Sequence, residues 1–154
     1  MRLKRKQEGF TIIEVVLVLA IAGLIFLIVF LALPQLQRSR RDTQRKSDAG
    51  RIVAALESYA GNNNGNYPAE SSADAAGNFG DYGDDNSFWG QYIDPSEMVD
   101  PSEGNYTISF GGSGGNDPGE VDYNLGVDCD GNSGSRVFAV TIGLEQGNYC
   151  QDNR

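Results

Sequence analysis

The sequence predicts an α+β fold, in which one long N-terminal helix packs on a small antiparallel sheet. Three observations predict it: an apolar run near the N-terminus, a polar stretch with helical spacing after it, and segments of alternating apolar and polar residues in the last third of the chain. The chain has 154 residues, the length of about one domain. The first half of the helix has the composition of a membrane span, and the second half has that of a water-exposed helix.

The membrane span is predicted by residues 10–33, of which 21 out of 24 are apolar. As a helix this run is about 36 Å long, enough to cross about 30 Å of hydrocarbon. It has no polar face, so it is not a surface helix. A cleaved signal peptide is the alternative, but its apolar core is about 7–15 residues long. This run is longer, and Leu31-Ala32-Leu33-Pro34 is a poor cleavage site. We therefore expect a transmembrane helix over residues 10–34.

Glu14 is the one charged residue in this apolar run. A carboxylate costs about 2.5–3.5 kcal/mol at the centre of a membrane helix and less near its end. Two interpretations stay open from composition alone. Glu14 reaches the interface and contacts water, or it awaits a positive partner inside the membrane.

Charge is distributed unevenly along the chain. Residues 1–9 and 35–57 each carry a net charge of +3, whereas residues 58–154 carry two basic and sixteen acidic side chains. The acidic tail repels phosphate backbones, so we expect no nucleic acid to bind through it. The basic residues lie on both sides of the apolar run, where they meet lipid head groups, and they leave the orientation of the span undecided. The chain has no histidine, which excludes catalysis by histidine and the binding of metals through histidine side chains.

Cys129 and Cys150 are the two cysteines, and both lie in the acidic tail. Two cysteines in a Gly-rich tail favour a disulfide outside the cytosol. The alternative is a pair of free, buried thiols.

Residues 35–60 are predicted to continue the helix. Ile52, Leu56 and Tyr59 share one face at i, i+4 and i+7. The basic residues before them predict a solvated helix face that contacts head groups or neighbouring subunits. Glycine and asparagine in residues 61–65 end the helix, because both favour the left-handed cap position.

The last part of the chain is predicted to form three strands, at residues 106–110, 121–127 and 136–142, with the third in the centre. The connectors at 111–120 and 128–135 are short enough for antiparallel pairing. Residues 61–105 are expected to be irregular, anchored by apolar residues: Phe79, Tyr82, Phe88, Trp89, Tyr92 and Ile93. The sheet and a C-terminal disulfide loop then occupy residues 106–154.

No cofactor is expected, with one weak exception. Asp128 and Asp130 lie in a turn that also contains asparagine, and Asp122 is near in sequence. Calcium prefers several oxygen ligands of this kind, but the spacing does not fit an EF-hand. An acidic hairpin turn is the simpler interpretation.

The segment Gly9-Phe10-Thr11-Ile12-Ile13-Glu14, followed at once by the apolar run, resembles the prepilin signal of type IV pilins and type II secretion pseudopilins. Gly23 matches a glycine common in that family. The stretch from Tyr59 through Asn64-Gly65-Asn66-Tyr67-Pro68 resembles the segment that follows the long helix in many pilins. Pro34 departs from the pattern, because the family's helix-breaking proline usually lies closer to Gly23.

The resemblance implies a pilin-like fold and a processing route. A prepilin peptidase would remove residues 1–9 by cutting after Gly9, and would methylate the new amine of Phe10. Glu14 would then pair with the Phe10 amine of a neighbouring subunit. The physics agrees, because a positive amine neutralises a carboxylate that is unfavourable alone in an apolar environment.

The function we expect is therefore structural: a subunit of a type IV pilus or related filament, stored in the cytoplasmic membrane with its C-terminus outside. Its partners would be identical or related pilin subunits, prepilin peptidase, the assembly machinery and membrane lipid. A type II secretion pseudopilin is the nearest alternative. A single-pass membrane protein with an extracellular binding domain is the alternative from another class. No catalytic motif stands out, so an enzyme is not expected.

Overall fold

The computed structural model describes residues 9–69, 87–94, 96–111 and 115–154. Most of the leader, residues 1–8, lies outside this description, as do Phe79 and Tyr82. The described chain forms one long helix, one short helix, a two-stranded sheet and a four-stranded sheet. The predicted α+β fold class, with a pilin-like long helix packed on a sheet, is confirmed.

The long helix, α1, spans Ile12–Asn62 and includes Pro34. Its end is fixed by the predicted glycine and asparagine residues. Asn64 and Gly65 adopt φ values of 59° and 79°, and the Gly65 amide donates a hydrogen bond to the Ala60 carbonyl at 2.8 Å. This left-handed cap satisfies a carbonyl that the helix itself leaves free.

The chain divides into two compact units, Met1–Arg38 and Ser39–Arg154. In the first unit, the apolar side chains of α1 are exposed all round the helix. In the second unit, α1 buries one face, with Ala49, Ile52, Val53 and Leu56 in the core. The predicted inward face at Ile52 and Leu56 is confirmed, and Tyr59 packs against the same core.

Short regular elements lie within residues 61–105. Helix α2 spans Phe88–Tyr92, and Ser87 caps its N-terminus by accepting from the Gly90 amide at 3.4 Å. Strands β1 (Val99–Asp100) and β2 (Gly104–Asn105) pair in antiparallel fashion. Phe88, Trp89 and Ile93 are buried in the core, so their predicted anchoring role is confirmed.

The four-stranded sheet has the order β3-β4-β5-β6. Its strands are β3 (Thr107–Phe110), β4 (Glu120–Val127), β5 (Ser133–Gly143) and β6 (Asn148–Asp152). The pairs β4/β5 and β5/β6 are antiparallel, and β5 lies inside the sheet, as predicted for residues 136–142. Val121 and Tyr123 of β4 and Phe138, Val140 and Ile142 of β5 face the core with the period of two expected for a strand.

The predicted antiparallel pairing of the first strand is wrong, because β3 pairs with β4 in parallel. The connector returns to the start of β3 before β4 begins, so both strands run in the same direction. Its Pro118 pairs with Gly143 of β5, and the Gly119 carbonyl accepts from the Thr107 amide at 2.8 Å, at the start of β3. A four-residue strand is about 13 Å long, and a connector of this length can span about 30 Å. The short connector between β3 and β4 is therefore compatible with parallel pairing as well as with a hairpin.

Candidate functional site

The residues around the predicted cleavage point are exposed in the structure. Gly9 has no other group within 4 Å of the position a Cβ would occupy, and Phe10 is 84% exposed. Both precede the first turn of α1, which begins at Ile12. The Gly9–Phe10 peptide bond therefore lies outside regular secondary structure and is exposed to an enzyme.

Glu14 lies in the first turn of α1, and Thr11 caps that turn. The Glu14 amide donates to the Thr11 carbonyl at 3.1 Å and to Thr11 Oγ1 at 3.4 Å. Thr11 and Glu14 have the spacing of a capping box. A negative charge in the first turn also interacts favourably with the helix dipole. The local sequence thus places the Glu14 carboxylate at the N-terminal end of the apolar helix.

A shallow groove of about 310 Å³ lies beside this turn, lined by Phe10, Glu14, Val15, Val18 and Leu19. Glu14 supplies its one charged group, and the other four side chains are apolar. Phe10 and Glu14 of the same chain both line this groove. The predicted contact joins Glu14 of one chain to the Phe10 amine of another, and it stays a prediction. A carboxylate in such a groove favours a positively charged partner, because a cation neutralises it where water is scarce.

The helix that carries this groove is an apolar cylinder. Among the described residues, one helix is long and apolar enough to cross a membrane, judged by length and composition, and its most apolar stretch is not buried at all. A continuous exposed apolar surface of this size indicates contact with lipid or with other protein chains. This property agrees with the membrane span that the sequence predicts over residues 10–34.

The second unit contains a buried group of charges that sequence analysis missed. Arg45 of α1 is fully buried, and its guanidinium donates to both carboxylate oxygens of Asp100, at 2.6 and 3.0 Å. It also donates to Asp42 at 3.1 Å and to Ser102 Oγ at 2.7 Å. Arg45 therefore fastens α1 to strand β1 and to the turn that follows it.

The protonation states of this pair are strongly fixed. Burial disfavours the Arg45 charge, but the hydrogen bonds and charges of Asp100, Asp42 and Glu145 outweigh it and raise the pKa of Arg45. Burial likewise opposes the charge on Asp100, yet the Arg45 guanidinium and the backbone amides of Ser102 and Glu103 lower the pKa of Asp100 to about 2. Both groups stay charged at neutral pH.

A second buried contact lies one turn further along α1. Asp48 is 4% exposed and accepts a hydrogen bond from the Tyr106 hydroxyl at 2.8 Å. Burial raises the pKa of Asp48, and burial together with this hydrogen bond raises the pKa of Tyr106. Arg51 lies at 3.7 Å from Asp48 and also bridges to Glu97.

These contacts correct the prediction of a solvated basic helix face before Ile52. Arg45 and Asp48 are buried, and Arg41 is held by Glu145 at 2.7 Å. The periodicity of the apolar residues already indicated that Arg45 would be buried. Positions 45, 49, 52 and 56 follow one helical stripe, so Arg45 lies on the inward face by the same rule that placed Ile52 and Leu56 there.

Cys129 and Cys150 form a disulfide with an S–S distance of 2.03 Å, which confirms the predicted pairing and excludes free thiols. The bond joins the β4–β5 connection to strand β6. The connection is further held by a hydrogen bond from the Cys129 amide to the Asp152 carboxylate at 3.0 Å.

Two of the three acids predicted as weak calcium ligands, Asp122 and Asp128, have partners within the protein. Asp122 accepts from Ser109 Oγ at 2.9 Å and from Asn124 Nδ2 at 2.6 Å. Asp128 accepts from the Asn132 amide at 2.7 Å and pairs with Arg154 at 3.0 Å. Asn132 is the main cause that lowers the pKa of Asp128. Asp130 is exposed in the same turn. Among the described residues, no group of three or more His, Cys, Asp or Glu side chains is placed to hold a metal ion.

Comparison with known proteins identifies the N-terminal segment. Residues 4–30 match the model of the prokaryotic N-terminal methylation motif. No curated protein and no solved structure matches the chain. The match spans the predicted cleavage point, Glu14 and most of the apolar helix.

The chain thus combines an α+β domain on a long helix with a membrane-type N-terminal segment. More specifically, it carries the N-terminal signal shared by type IV pilins and pseudopilins, as the sequence predicted. Proteins with this signal are typically structural.

Proposed function

We propose that the chain is the precursor of a structural subunit of a type IV pilus or a related filament. It is stored in the membrane, cleaved after Gly9 and methylated on the new amine of Phe10. The observation that carries the proposal is the methylation motif at residues 4–30, with an exposed Gly9–Phe10 bond in its expected place.

Assembly follows from the groove at the start of α1. Cleavage creates a positive amine on Phe10, and Glu14 offers a carboxylate in an apolar groove. In a bundle of such helices, the amine of one copy neutralises the carboxylate of the next, which removes two unfavourable charges from the apolar interior. The exposed apolar surface of residues 12–33 then packs against other copies instead of lipid.

The orientation of the precursor is inferred from the disulfide. Disulfides form in compartments outside the bacterial cytosol, and Cys129–Cys150 lies in the domain that follows the span. The proposal therefore places residues 35–154 outside the cytoplasmic membrane and residues 1–9 inside, where the peptidase and the assembly machinery would act. The function proposed is structural and needs no catalysis by this chain.

The decisive experiment is intact-mass analysis of the protein purified from its native membrane and from sheared surface filaments. We expect a chain that starts at Phe10 and carries one added methyl group. Gly9→Leu is the control, because a side chain at Gly9 obstructs the backbone approach that the peptidase needs. A wild-type chain that retains residues 1–9, or one cut near Pro34, contradicts the proposal.

The same material separates the alternatives. A membrane-anchored binding domain keeps residues 1–9 and forms no filament. A secretion pseudopilin is cleaved and methylated but is absent from surface filaments at native expression, and its deletion stops protein secretion. A pilus subunit is cleaved, methylated and recovered in the sheared fraction.

A further inference from the structure

We propose that Arg38 and Arg40 each bind the anionic head groups of phospholipids at the membrane surface where α1 leaves the bilayer. The inference rests on the membrane-stored form described under the proposed function. Anionic phospholipid is the ligand proposed for these two residues. Three neighbouring basic residues, which the sequence alone does not distinguish from them, are not proposed to bind it.

Arg38 and Arg40 differ from their basic neighbours in being free to contact lipid. The chain has five basic residues between positions 38 and 46: Arg38, Arg40, Arg41, Arg45 and Lys46. The domain uses three of them. Arg41 bonds to Glu145, Arg45 is buried against Asp100, and the Lys46 ammonium lies 5.5 Å from the centre of the Tyr149 ring. Arg38 and Arg40 are exposed, and neither forms an ion pair with a described residue of its own unit.

Arg38 and Arg40 lie just beyond the membrane span. Pro34 is the last residue of the predicted span, and Arg38 follows about 6 Å further along a helix. The head-group layer is about 5–8 Å thick on each side of the hydrocarbon. Side chains on an α-helix tilt towards its N-terminus. For Arg38 and Arg40 the N-terminus is the membrane side, so both guanidinium groups lean back into the head-group layer.

Arg38 and Arg40 also point in different directions. Residues two apart on a helix are separated by about 160° around its axis, so Arg38 and Arg40 project from nearly opposite sides of α1. A protein partner docks against one side of a helix, whereas a lipid surface surrounds it. The pair therefore fits a membrane better than the acidic domain of a second copy, which is the competing partner by charge.

The chemistry selects anionic lipids. A guanidinium group matches a phosphate with two parallel hydrogen bonds, and all phospholipids carry a phosphate. Net negative charge adds an attraction of roughly fivefold for each basic residue near the surface, and salt weakens it. The two arginines are thus expected to favour phosphatidylglycerol over phosphatidylcholine.

The test uses the full chain reconstituted in vesicles of phosphatidylcholine, with spin-labelled phosphatidylglycerol or phosphatidylcholine as the probe. Electron spin resonance measures how strongly each labelled lipid is held at the protein. We expect the wild-type chain to prefer phosphatidylglycerol severalfold at low salt. The Arg38→Gln/Arg40→Gln variant is expected to lose the part of this preference that these two charges contribute, while the basic residues of the leader keep the rest. Arg41→Gln is the matched control, and it is expected to keep the preference because the Arg41 charge is already held by Glu145.

Each other outcome overturns the inference in a distinguishable way. Equal binding of both lipids by the wild-type chain refutes it directly, and a loss in Arg41→Gln as large as in the double variant refutes the assignment to Arg38 and Arg40. A double variant that keeps the lipid preference but loses filament yield shows that the arginines contact other copies. A chain that fails to float with the vesicles contradicts the proposed membrane storage itself.

Discussion

At the scale of single residues, the buried pair of Arg45 and Asp100 joins parts of the chain that are 55 residues apart. Burying two charges costs several kcal/mol, and only good geometry offsets this cost. Here the guanidinium donates to both carboxylate oxygens of Asp100, and Ser102, Asp42 and Glu145 accept from its remaining donors. The pair therefore fixes the position of β1 against α1 more specifically than apolar contacts do.

We predict that Arg45→Met lowers the free energy of unfolding by about 3–5 kcal/mol, because it leaves the Asp100 carboxylate buried without its partner. Methionine keeps an unbranched stem in the core, so the loss of the charge and its hydrogen bonds is expected to cause most of the effect. The measurement is urea unfolding of the detergent-solubilised chain, followed by the fluorescence of Trp89, the one tryptophan, which is fully buried.

Arg40→Met is the control for that variant, since Arg40 is exposed on the same helix and its loss should change the urea midpoint little. Equal midpoints for Arg45→Met and wild type would show that the pair does not contribute to stability. Replacing both partners, as Arg45→Met/Asp100→Leu, is expected to recover much of the loss, because no charge is then left buried alone.

The residues of the candidate site differ in how far the sequence predicts them. Gly9, Phe10 and Glu14 lie within six consecutive positions, so a short motif was enough. Cys129 and Cys150 had no other partner to choose. Arg45 and Asp100 could not be paired, because the domain has sixteen acids in its tail and local spacing does not tell which of them meets Arg45.

At the scale of elements, the alternation of apolar and polar residues predicted where strands lie but not how they pair. The face that points inward depends on the period of two within each strand, which is local. The direction of a neighbouring strand depends on the path of the connector, and that path is not set by the local sequence pattern. The residues after β3 pass close to β5, where Gly115 lies against the Thr141 backbone and a Cβ on Gly143 would overlap the Asp117 carbonyl.

We therefore predict that Gly143→Ala destabilises the domain by about 1–3 kcal/mol, the usual cost of overpacking. The added methyl group must displace the connector that makes β3 parallel to β4. Urea unfolding followed by Trp89 fluorescence measures the loss. Gly61→Ala serves as the matched control, because no group lies within 4 Å of the new Cβ and alanine favours a helix by up to about 1 kcal/mol. A similar stability for both variants would contradict the close contact between the β3–β4 connector and Gly143.

At the scale of the whole molecule, the domain is small and carries a strong negative charge, so its stability depends on cross-links as well as on its core. The disulfide closes a loop between residues 21 positions apart. Restricting the unfolded chain by such a loop contributes about 3 kcal/mol in chain-entropy estimates.

We predict that the Cys129→Ser/Cys150→Ser variant unfolds at a lower urea concentration, with a loss of about 3 kcal/mol. The control is the wild-type chain treated with a reductant and then alkylated, which removes the same bond without changing the sequence. Both samples should lose similar stability. If the urea midpoint of either sample equals that of the oxidised wild type, the bond does not stabilise the domain.

The last prediction concerns assembly of the whole molecule into a filament. A polymerising subunit must find its axial register, and apolar side chains specify register poorly because they can slide past one another. The Glu14 carboxylate and the Phe10 amine of the next copy would fix this register, since neither tolerates being unpaired in an apolar interior.

We expect Glu14→Gln to abolish sheared filaments while membrane insertion and removal of residues 1–9 continue, because loss of a charge favours insertion. Glu14→Asp is expected to assemble partly, with the charge kept and the reach shortened. Glu57→Gln, which removes an exposed carboxylate from the same helix, is the control and should assemble normally. The assay compares sheared surface filaments with total cellular subunit. A normal filament yield from Glu14→Gln would show that Glu14 is only a carboxylate that reaches the membrane interface.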